Sequence, residues 1–171
     1  MPYSIADQMN QIIGVLKTAA QDNGGDAFIA NDLVHMWKQL FDKSNAEKVL
    51  LMYNGEQVRG EFGIAAPLGR VDRQFIVVVS RGRSLMVERG SPLTNQNQNA
   101  IPLFTVVEGY RDIIRGLILD PQWTEYPIDY QGVMPFPVGD GGPIIDALQI
   151  QFSVGTQLSL IKDQPGALAQ Q

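Results

Sequence analysis

The sequence predicts an α+β fold: a single mixed, mainly antiparallel sheet with helices packed on one face. Three observations lead there. Two segments, Ser4–Gln21 and Pro102–Leu117, repeat apolar residues at spacings of three and four. Arg73–Ser80 (RQFIVVVS) is a compact β-branched run of the kind buried on both faces of a sheet. Ile145–Thr156 alternates Leu148, Ile150, Phe152 and Val154 with Gln149, Gln151 and Ser153, a half-buried strand with one polar face.

In chain order, the first helix carries Ile5, Met9, Ile12, Ile13, Leu16 and Ala20 as one stripe. Ser4 is its N-cap, Asp7 lies in its first turn, and Asn23-Gly24-Gly25 is the stop. A shorter helix is expected over Asp32–Asp42, with Leu33, Trp37, Leu40 and Phe41 on one face and Asn31 or Asp32 as cap. Lys48–Tyr53 (KVLLMY) is a strand. Asn54-Gly55 after it predicts a tight hairpin into Glu56–Phe62, weakened by Gly60. Residues 81–101 form a long polar loop with the run NQNQN at 95–99, a length that usually signals function or disorder. Pro102 suits the first turn of the next helix, whose stripe is Leu103, Val106, Val107, Tyr110, Ile113, Ile114 and Leu117. Tyr126–Phe136 reads as a strand with Ile128, Tyr130, Met134 and Phe136 on one face, and Pro135 and Pro137 put its end at a sheet edge. Residues 139–143 are a turn. The expected organisation is one domain over residues 1–158 and a flexible tail over 159–171.

Composition narrows the chemistry. Of 171 residues, 44% are hydrophobic and 18% charged, enough apolar material for a core. Apolar runs such as Phe75–Val79 are too short to span a bilayer, and Met1–Asn10 lacks the basic start and apolar stretch of a signal peptide, so a soluble protein is expected. Without cysteine there is no disulfide, thiol nucleophile or thiolate metal site. His35 is the single histidine, set on the expected second helix with no partner acid at a useful spacing. The glycine-rich turn at 139–143 holds no serine where a trypsin-like nucleophile would stand, and no metal-binding or phosphate-loop motif occurs. No catalytic, cofactor or metal site is expected, and no enzyme activity.

The net charge of −5 is unevenly spread. Residues 59–89 carry six arginines (59, 70, 73, 81, 83 and 89) against three acids, whereas the segments on either side are net acidic. Arginine favours bidentate and interface contacts. Arg81, Arg83, Glu88 and Arg89 are therefore candidate interface residues, able to meet acidic surface on a neighbouring subunit. The competing reading is a solvated loop whose charges protect a strand end. The block lacks interleaved aromatics, and the chain is too acidic to be a nucleic-acid binder by default. The C-terminal hairpin could extend a sheet between subunits or be an ordinary covered edge.

The order of elements, together with KVLLMYNGE (48–56), VDRQFIVVVSRGRS (71–84), FTVVEGYRDIIRGL (104–117) and LQIQFSV (148–154), resembles the tail terminator proteins of long-tailed bacteriophages, also called minor tail or tail-completion proteins. The resemblance covers residues 4–158 and rests on texture and order, not on a catalytic signature. It implies a structural virion protein at the tail–neck junction, assembled in the host cytoplasm as a homo-oligomeric ring, a hexamer. Such a ring caps the tail tube, stops its polymerisation and docks to a head-completion or neck protein. It implies no cofactor, no membrane and no sequence-specific nucleic acid, although DNA passes through such rings. The extra helix near 32–42 and the tail after 158 depart from the compact members and leave open another neck or head-completion adaptor. Further alternatives are a monomeric adaptor for one partner and a small-molecule-binding protein or enzyme. Loop 81–101 is the expected site of subunit or tube contacts.

Overall fold

The computed structural model describes residues 4–30, 32, 34, 47–59, 68–82, 103–117, 128–135 and 145–159. Helix α1 (Ile5–Asp22) starts at Ser4, whose extended backbone lets its Oγ accept the Ala6 N–H at 3.1 Å. Its end closes through Asn23 N–H to the Ala20 carbonyl (3.0 Å), Gly24 N–H to that of Gln21 (3.0 Å) and Gly25 N–H to that of Ala20 (2.9 Å). Gly24 takes φ +73, the left-handed conformation that follows many helix ends. Gly25 answers a different need. A Cβ there would lie 2.5 Å from the Glu47 carbonyl oxygen, which accepts the Asp26 N–H at 3.1 Å. Only glycine lets the chain leave α1 this close to its neighbour.

Five strands follow the order β1-β2-β3-β5-β4. They are β1 (Asp26–Ala30), β2 (Lys48–Arg59), β3 (Leu68–Gly82), β4 (Ile128–Pro135) and β5 (Ile145–Ser159). β1 runs parallel to β2, and every other pairing is antiparallel, so the sheet is mixed and mainly antiparallel as expected. β3 is central, and Phe75–Ser80 are all buried. Helix α2 (Leu103–Arg115) lies with α1 on one face. There Ile12, Leu16 and Ala20 of α1 and Leu103, Val106, Tyr110 and Ile114 of α2 meet Val49, Leu51, Phe75, Val77, Val79, Ile150, Phe152 and Val154. The chain is an α+β protein. On the other face Ala30, Leu50, Met52, Ile76, Val78 and Ala147 form a smaller buried cluster with no residue of α1 or α2 in it.

One row crosses four strands on the helix face: Tyr53, Phe75, Phe152 and Tyr130 are successive cross-strand partners. Phe75 and Phe152 stack with centroids 5.6 Å apart, and Tyr53 meets Phe75 edge-on at 5.9 Å. Both geometries suit the aromatic quadrupole.

The structure corrects the expectations at several places. Asn54-Gly55 does not reverse the chain: β2 continues through it to Arg59. Tyr53 pairs with Phe75 and Glu56 with Arg73, so Asn54 and Gly55 together oppose Gln74, a β-bulge with Gly55 at φ +103. The 15-residue β3 offers backbone partners along its whole length, and the bulge uses the positive φ that a hairpin turn would have used. β4 bulges too. Gln131 is the extra residue between Tyr130↔Phe152 and Gly132↔Gln151, which places Met134 opposite Gln149, on the other face from Ile128 and Tyr130. β5 runs on to Ser159, past the expected end at Thr156. Its polar face is less open than alternation implied: Gln149 and Ser153 are buried. β1 was not foreseen. The expected second helix falls outside the described residues except for Asp32 and Val34, as do the turn at 139–143 and residues 160–171 of the expected tail.

Candidate functional site

Of the candidate interface residues, Arg81 is the penultimate residue of β3, in register with Asp146 of β5. Arg83, Glu88 and Arg89 lie outside the described residues, as does His35. The structure settles two other arginines of the same block, and neither is a free surface charge.

Arg73 alternates in phase with Phe75, Val77 and Val79, so it sits on the helix face of β3 and is 5% exposed. Its Nε donates to Glu56 Oε1 at 2.9 Å and its Nη1 to Gln8 Oε1 at 3.1 Å. Gln8, on the inner face of α1, is fully buried. Glu56 reaches Arg73 because the bulge places it directly opposite on β2. The cluster also reaches Tyr53: burial pushes its phenol above the usual value, and the neighbouring Glu56 carboxylate adds to the rise while Arg73 opposes it. On the other face of β3, Arg59 holds the buried Asp72 through Nε and Oδ2 at 2.6 Å. Asp72 and Arg73 are adjacent in sequence but point to opposite faces, and each finds its counter-charge on the bulged half of β2.

A second polar contact lies at the other end of the sheet. Tyr110 of α2 donates its hydroxyl to Glu47 Oε1 at 2.6 Å, in a buried setting. Above Tyr110 a groove of about 200 Å³ runs between Ala19 and Asn23 on the α1 side and Thr105, Gly109 and Ile113 on α2. That is smaller than the ~300–1,000 Å³ of typical ligand pockets. Elsewhere on α2, the Arg111 guanidinium contacts Asp112 at 2.9 Å, and that hydrogen bond is the chief cause of its raised pKa.

Chemically, Arg73 is a tie between elements: its Nε and Nη1 bind Glu56 and Gln8, inside the fold. Arg59 keeps about half of its side chain in solvent while neutralising Asp72. Among the described residues no group of three or more His, Asp or Glu side chains is arranged to hold a metal ion. Ser153 Oγ is buried without a hydrogen-bond partner among the described residues. No described helix is long and apolar enough to cross a membrane. Charge density in block 59–89 draws attention to Arg81, Arg83, Glu88 and Arg89 and does not single out Arg59 or Arg73. The signal for Arg73 was its place in the inward phase of the strand. Comparison with protein-family models and with curated proteins finds no match to this chain.

Proposed function

We propose that this protein is a structural virion subunit, a ring-forming tail terminator that caps the tail tube and presents a docking surface to the head or neck. The reading is supported by the fold. An amphipathic N-terminal helix, a mixed sheet centred on a long arginine-punctuated strand, a helix at 103–115 and a closing antiparallel pair follow the order that the resemblance implies. A subunit of this kind works through two different surfaces that close by rotation, not through a pocket. Arg81, Arg83, Glu88 and Arg89 are the proposed subunit or tube contacts.

Light scattering of the purified chain across concentration and salt, with and without tail tubes, tests this. The expected result is a species of six subunit masses, alone or on addition of tubes. A strict monomer that ignores tubes overturns the proposal. Deleting Glu88–Gln98 is expected to abolish ring formation or tube binding. If both survive, the interface does not lie there.

A further inference from the structure

We propose that the Asn54-Gly55 bulge is a register-setting device that aligns the outer half of β2 so that Arg73 can tie that half to α1. The inference stands independently of the ring.

β2 changes character at the bulge. Lys48–Met52 are all buried, whereas Glu56–Arg59 are all exposed as residues. A strand of the same sequence without a bulge would continue the pairing set by Tyr53↔Phe75 and bring Glu56 opposite Asp72. Two carboxylates would then face each other across the ladder, which is unfavourable, and Arg73 would lose Glu56 as its cross-strand counter-charge. One extra residue moves Glu56 to the helix face, opposite Arg73, and leaves Arg59 within reach of Asp72. A one-residue slip inverts every side chain beyond it, so this single insertion fixes both ion pairs together. Arg73 then carries the alignment to α1 through Gln8.

Gly55 supplies the geometry. At φ +103 its conformation is one that side chains resist, yet a Cβ would find nothing within 4 Å. A substitution there acts through the backbone alone.

The test follows from counting residues. Deleting Asn54 leaves Gly55 alone opposite Gln74 and Glu56 still opposite Arg73, in a straight strand. The variant lacking Asn54 is expected to fold, to melt within about 4 °C of the parent, and to keep cross-strand nuclear Overhauser contacts between Glu56 and Arg73. Failure to fold, or contacts that place Glu56 opposite Asp72, overturns the proposal. Gly55→Val keeps the length but opposes the positive φ, and is expected to lower Tm by about 5 °C or more. Gly55→Asn is expected to lose clearly less, because asparagine accepts positive φ more readily. Equal losses for the two, or no loss for valine, also overturn it.

Discussion

Replacing Arg73 by methionine removes a charge from a place where the surrounding structure has been built to receive one. The side chain is nearly as long, so packing beside Phe75 is largely kept, while Glu56 loses its counter-ion and Gln8 Oε1 loses a donor. Breaking a buried ion pair by removing one partner costs about 3–5 kcal/mol. Glu56 keeps 32% of its side chain exposed and regains some water, which places the expected loss at the lower end, about 3 kcal/mol. For a chain of this length that corresponds to a fall of roughly 6–12 °C in Tm. Urea unfolding with a shared m-value measures the free energy, and calorimetry the Tm. The triple replacement Gln8→Leu, Glu56→Leu, Arg73→Met gives the mechanism its own control. An apolar set of similar volume is expected to recover most of the loss, because the Glu56 carboxylate and the Gln8 amide are removed together with the Arg73 charge. A loss below about 1 kcal/mol for Arg73→Met alone would refute the reasoning, since Arg73 would then behave as a solvated surface charge.

Two other perturbations bear on the polar contacts. Tyr53 holds its proton more tightly in the fold than in the unfolded chain, so it contributes stability that is present below the ordinary tyrosine value of 10.0 and lost as pH rises through the folded pKa. The urea midpoint is expected to fall above about pH 10, and Tyr53→Phe to flatten that part of the profile; an unchanged slope in the variant would count against the assignment. Tyr110→Phe removes a hydrogen bond from the buried Glu47 and is expected to cost about 1.5–3 kcal/mol in the same assay, with loss of slow exchange at Asp26, whose amide binds the Glu47 carbonyl.

The parts of the fold that periodicity could carry were legible. α1 and α2 announce themselves through stripes at three and four, and β3 through an unbroken β-branched run. β1 was not, because DAFIA is five residues with no alternation, and it becomes a strand only by lying beside β2. Asn54-Gly55 shows why a strong local signal can mislead. The dipeptide specifies a positive φ, and both a hairpin and a bulge satisfy it. What decides is the length of β3, a property of a distant segment. In β4 the single extra residue Gln131 reverses the phase of everything after it, so Met134 changes face. The roles of Arg59 and Arg73 within the charged block were not legible for a related reason. Net charge records how many arginines lie near one another in sequence, whereas the sheet sends Arg73 inward and joins Arg59 to Asp72 on the opposite face.

The aromatic row from Tyr53 through Phe75 and Phe152 to Tyr130 has a bulge on either side of it. β2 bulges on the side toward Leu68 and Ser159, and β4 on the side toward Gly82 and Ile145. Each bulge interrupts ladder hydrogen bonds, so local opening has two natural starting points and meets the stacked rings whichever way it travels. Hydrogen exchange should therefore divide this sheet by latitude and not by strand. Amides of all four strands near the row form the slowest-exchanging unit, and protection falls away toward both ends of β3 and β5. The sheet frays as two caps around a common belt.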